Sequence, residues 1–136
     1  MEKILSITAP DDLIVDDKGY LGHMYPQSCD GFVIETTEQV VQFGISNEQN
    51  CCEHWGTIMA PEDVSSFVGA QLLSMTLTDE ALNTVKLPDL DSGGAVFLTL
   101  HTSNGPCQFV VYNEHNGYYG HKVWVRSRDL QHEGYV

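Results

Sequence analysis

Apolar residues in this chain arrive in short bursts rich in Val, Ile, Phe and Thr, and each burst ends at a cluster of Gly, Asn, Asp or Pro. That rhythm favours strands, because β-branched side chains fit a pleated surface and lose rotamer freedom in a helix. Gly31 to Glu35 and Gln39 to Ser46, joined by Thr36-Thr37-Glu38, form a hairpin pattern. Leu72 to Leu77 alternates as a strand, and the turn cluster Asp89 to Gly94 launches another from Ala95 to His101. Ser103-Asn104-Gly105-Pro106 then turns the chain into Gln108 to Tyr112. One segment reads differently. Pro61, Glu62 and Asp63 stand where a helix would start, and Val64, Phe67 and Val68 recur at i, i+3 and i+4 before Gly69. The expected fold is therefore α+β, an antiparallel sheet of about five to seven strands with one short helix starting near Pro61.

Asn116-Gly117 permits a sharper expectation. At the centre of a type I′ turn the pair would set Tyr112 opposite His121, Val110 opposite Val123 and Phe109 opposite Trp124. Repeats, low-complexity tracts and linker-like runs are missing from the 136 residues, so residues 1–136 read as a single domain.

Charge limits the partners. Asp and Glu number 19 against 6 Lys and Arg, a net charge of −13. The imbalance is mainly a shortage of cations, which argues against direct binding of nucleic acid, where Lys and Arg displace counterions from phosphates. It is also lopsided: from Pro10 to Asp63 the only cation is Lys18, whereas Lys122, Arg126 and Arg128 cluster near the end. The apolar runs are too short for a membrane helix and the N-terminus lacks the apolar region of a secretory signal, so a cytoplasmic setting is expected.

Two segments are dense in side chains that do chemistry, Asn50 to Gly56 and Tyr112 to His121. Cys51, Cys52, His54, His115 and His121 are the candidate zinc ligands, yet the knuckle spacings of structural zinc sites are absent and no cofactor is expected. A thiol nucleophile at Cys51 or Cys52 would stand beside Glu48 and Glu53, which oppose thiolate formation. The pattern SNEQNCCEHWG, then PEDVSSFVG, LLS and VYNEHNGYYGHKV, running from about Val40 to Val125, resembles a family of small phage and prophage proteins catalogued as a domain of unknown function. The resemblance implies a compact α+β domain encoded by mobile elements and acting in a bacterial host cytoplasm. It names no catalytic residue, and residues 1–30 lie outside it.

The functional expectation is stoichiometric binding rather than catalysis. An acidic phage-type protein can place carboxylates where phosphates would lie in the basic channel of a host nuclease, inhibiting it as an anti-CRISPR-like nucleic-acid mimic. Asp11, Asp12, Asp16, Asp17, Asp30, Glu35 and Glu38 are the expected contacts. The alternative is a metal- or thiol-dependent enzyme built from Cys51, Cys52, His54, His115 and His121.

Overall fold

The computed structural model describes residues 1–10, 12–18, 24–47, 54–60, 63–78, 94–114 and 121–135. Their strands are β1 (Ile4–Thr8), β2 (Leu13–Lys18), β3 (Met24–Thr36), β4 (Val40–Ser46), β5 (His54–Ala60), β6 (Leu72–Thr78), β7 (Gly94–Thr102), β8 (Gly105–Glu114), β9 (Lys122–Arg126) and β10 (Gln131–Tyr135). They form two antiparallel sheets. The first runs β1-β3-β4-β9-β10, with β2 also paired to β3; the second runs β5-β8-β7-β6.

Alternation explains how the sheets meet. In the first sheet Phe32 and Ile34 of β3 lie beside Phe43 and Val41 of β4, and Val123 and Val125 of β9 continue the same face. Leu98 and Leu100 of β7 with Cys107, Phe109 and Val111 of β8 form the facing surface of the second sheet, and all these side chains join one buried cluster. The result is a β-sandwich. Burying one full Phe or Leu contributes about 1.5–3 kcal/mol, so this shared layer is the main stabilising feature.

The first sheet has an unusual edge. Leu13 and Ser46 both pair with Cys29, so β2 and β4 flank β3 on opposite sides; β1 takes the β2 side further along, at Val33 to Thr36. Strands β1 and β2 are thus two halves of one edge, interrupted around Pro10, which has no N–H to donate. On the outer face Leu13, Val15, Cys29 and Trp124 make a second small buried cluster. Gly31 opposes Gly44 beneath it, and a Cβ on Gly31 would collide with the carbonyl oxygen of Phe43.

Three sequence expectations need correction. The fold is not α+β with a helix near Pro61: among the described residues the only helical turn is a 3-10 turn at Ser65–Phe67. Pro61 and Glu62 lie outside the described residues. A helix this short cannot repay its nucleation, and Val64, Ser65, Ser66, Val68 and Gly69 are poor helix formers. Asp63 Oδ1 accepts from the Ser65 N–H at 3.0 Å, which holds its carboxyl below the ordinary 3.8; Phe67 is buried in the core, Val64 packs half-buried against it, and Val68 stays exposed. Secondly, among the described residues ten strands in two sheets replace the single sheet of five to seven.

Thirdly, β8 and β9 do not pair. β8 lies between β5 and β7, and β9 between β4 and β10. Phe109, Val110 and Val111 are all buried in succession, as are Val123, Trp124 and Val125. Both are interior strands whose two edges are taken by other partners, so the chain crosses from one sheet to the other between them. Asn116-Gly117 itself lies outside the described residues.

The other hairpins hold. Glu35 pairs with Val40 and Ile34 with Val41; Thr102 pairs with Gly105, whose φ of +100° closes the turn. No helix among the described residues is long and apolar enough to cross a membrane.

Candidate functional site

At one end of the sandwich the apolar layer gives way to polar side chains. Asp30, Ile45 and Val123 lie in one row across β3, β4 and β9, and Asn47 and His121 follow two residues further on. Asn47 Nδ2 donates to Asp30 Oδ1 at 2.9 Å. His121 is buried, with Nδ1 2.7 Å from the Ser46 carbonyl oxygen. A carbonyl only accepts, so Nδ1 carries the proton, and in the neutral ring Nε2 is left as the acceptor.

The second sheet closes the same end. Trp55 of β5 pairs with the buried Asn113 of β8, and its ring centroid is 5.1 Å from that of His121. Next to it Gly56 opposes Tyr112, where an added Cβ would come within 2.9 Å of the tyrosine hydroxyl. His54 pairs with Glu114 at the strand ends. The described parts of the two chemistry-rich segments therefore converge on one end of the fold.

Of the candidate zinc or thiol residues, Cys51, Cys52 and His115 lie outside the described residues, and His54 is placed by its backbone pairing alone. His121 is an inter-sheet brace. Among the described residues no three His, Cys, Asp or Glu side chains are grouped to hold a metal ion. Cys29 and Cys107 are buried, and burial pushes the Cys107 thiol up to about 12.

The expected acidic contacts that are described fall at β2, β3 and the β3–β4 turn. Asp12 and Glu35 are exposed. Asp16 and Asp17 lie in β2 opposite Pro26 and Tyr25, Asp11 lies outside the described residues, and Asp30 is half-buried in the polar end. Glu38 is 3.7 Å from Arg128, so part of its charge is offset. Of the cations, Lys18 ends β2 directly after Asp17 and Lys3 stands just before β1, while Arg126 and Lys122 on β9 both pair with Glu133.

Sequence reasoning missed a second polar network, at the opposite end. Gln39 Nε2 donates to Glu2 Oε2 and to Asp129 Oδ2, each at 2.9 Å. Arg128 donates to Asp129 and lies 3.8 Å from Glu2. Hydrogen bonds from Arg128 and then Gln39 hold the Asp129 carboxyl below its ordinary 3.8. Beside this network is a cavity of about 260 Å³ lined by Glu2, Leu72, Leu73, Met75, Asp129 and Leu130, among others. These residues are far apart in the chain, so no local motif announces them.

Taken together, the described residues form a two-sheet antiparallel β-sandwich with a polar closure at each end. The chain belongs to the family described as domain of unknown function DUF7448, which matches residues 3–125. That span includes the N-terminal strands as well as both chemistry-rich segments. No curated protein and no solved structure matches the chain.

Proposed function

We propose that the protein works by stoichiometric binding, laying the acidic edge of its first sheet into a cationic nucleic-acid channel of a larger protein. The observation that supports this is an excess of carboxylates from just before β2 to the end of β3, where Asp12, Asp16, Asp17, Asp30 and Glu35 stand against Lys18 alone. Asp12 and Glu35 project from the β2–β3 side and have no ion-pair partner among the described residues. Lys122 and Arg126 on β9 are engaged locally by Glu133 on β10. Asp16 and Asp17, followed by Lys18, stand in the edge strand β2. Such a surface offers fixed negative charges at the places a phosphate backbone would fill, and attraction of this kind speeds encounter and selects basic partners.

The partner class is a nucleic-acid-binding enzyme, and in the phage setting implied by the sequence resemblance it is a host defence nuclease of the CRISPR type in the bacterial cytoplasm. The test is competition: labelled DNA bound to such a nuclease is titrated with this protein at about 50 mM and about 500 mM salt, where screening lengths differ roughly threefold. Displacement is expected at low salt and its loss at high salt. The double variant Asp12→Lys/Glu35→Lys should fail to displace DNA while keeping its circular dichroism spectrum. Displacement unaffected by both treatments would overturn the reading.

A further inference from the structure

The cavity lined by Leu72, Leu73, Met75 and Leu130 adjoins the start of β6, and neither Asp12 nor Glu35 lines it. From Ser74 to Leu77 β6 is the terminal strand of its sheet, pairing among the described residues with β7 alone. Its start is bridged by the N-terminal segment, where the Leu72 N–H donates to the Glu2 carbonyl and Lys3 bridges Gln71. Beyond the register shift at Leu72 and Ser74, the residues Met75, Thr76 and Leu77 run in regular pairing. In such a strand every second residue turns its N–H and C=O away from the sheet. Sheet edges are commonly blunted by charge or proline, and Leu72 to Thr78 contains neither. Leu73 is 60% exposed.

The cavity selects the occupant. At about 260 Å³ it falls below the roughly 300–1,000 Å³ of small-molecule and cofactor pockets, which suits a single long side chain better than a cofactor. Leu72, Leu73, Met75 and Leu130 supply apolar walls for a hydrocarbon stem. Glu2 and Asp129 also line the cavity, and together with Glu38 beside Arg128 these three carboxylates outnumber the one guanidinium. A lysine side chain has this division, an apolar stem with a charged tip.

We infer that β6 accepts an extended segment of a partner protein as an added strand, with a lysine of that segment lodged in the cavity against Glu2 and Asp129. Main-chain hydrogen bonds along Met75 to Leu77 provide the grip, and the cavity provides the selectivity.

The test uses the isotope-labelled full chain and a capped peptide of alternating threonine and valine with one central lysine, followed by amide chemical shifts. Shifts are expected at Ser74 to Leu77 and at Leu130. Replacing the lysine by norleucine, or N-methylating the peptide backbone on the side facing β6, should each weaken binding about tenfold or more, since a charge-assisted contact or strand hydrogen bonds are lost. Asp129→Asn should weaken the lysine peptide and leave the norleucine peptide unchanged. Equal binding of the lysine and norleucine peptides, shifts centred elsewhere, or no shifts at millimolar peptide would overturn the inference. The Asp12→Lys/Glu35→Lys variant should bind the peptide as the unaltered chain does, so failure of the acidic-edge reading is distinguishable from failure of this one.

Discussion

The ring of His121 lies 5.1 Å from the ring of Trp55, and through that contact the first sheet is tied to the second at the polar end of the sandwich. His121 comes just before β9 and its Nδ1 bonds the Ser46 carbonyl at the end of β4, so one side chain joins two strands of its own sheet and a third from the facing sheet.

His121→Ala removes both the ring contact and the donor to Ser46. It is expected to lower stability by about 2–4 kcal/mol, the range for losing a buried aromatic contact together with a hydrogen bond. His121→Asn keeps a donor of similar reach and should recover part of that loss. Urea denaturation monitored by tryptophan fluorescence reads both, and equal midpoints for the two variants would show that the Ser46 bond contributes nothing.

Gly31 and Gly105 should respond differently to alanine. At Gly31 the new methyl meets the backbone of Phe43 and Gly44, which cannot yield without parting the strands, so Gly31→Ala is expected to cost more than about 3 kcal/mol or prevent folding. At Gly105 there is open space and only the backbone angle objects, so Gly105→Ala should cost about 1 kcal/mol. Thermal melting of the two variants gives the order, and a reversed order would contradict the register of β3 against β4.

Cys29 and Cys107 should be inert in the native protein. With its thiol pushed up to about 12, Cys107 carries only about one part in ten thousand of thiolate at pH 8. Peptide mapping after iodoacetamide treatment should show neither residue alkylated, and both alkylated once urea is added. Native labelling of Cys107 would mean that the core between β7 and β8 opens.

The Asp129 network predicts a pH response of definite sign. Its carboxyl is held below 3.8 in the folded chain, so its contribution is present above that value and disappears as pH falls through the lowered one. Asp129→Asn lacks this contribution at every pH. The gap in urea midpoint between the unaltered protein and the variant should therefore be larger at pH 6 than at pH 2.5. A gap that stays constant would show that the Arg128 and Gln39 bonds do not hold the Asp129 carboxyl below its ordinary range in the folded chain.

Local chemistry made part of this fold legible. The β3–β4 and β7–β8 hairpins follow from β-branched runs around short polar turns, because the partners are neighbours in the chain and the turn sets the register. The segment from Pro61 misled because capping residues and an i, i+3, i+4 pattern specify a helix only where a whole apolar face is buried, and here Phe67 is buried, Val64 half-buried and Val68 exposed. The pairing of β8 with β9 misled for a related reason. Val110 and Val123 are apolar on both sides of their strands, and such strands give no local clue to which of several neighbours they will join.

The amino-acid sequence alone determined that the chain would be strand-rich, poor in cations and asymmetric in charge, since β-branching, turn residues and ionisable groups act through their immediate surroundings. Which strands share a sheet, how His121 comes to lie against Trp55, and how Glu2, Gln39 and Asp129 meet beside β6 were decided only by tertiary structure. Those contacts join residues dozens of positions apart. They form only when the two apolar faces have packed together and the remaining polar groups must find partners at the ends.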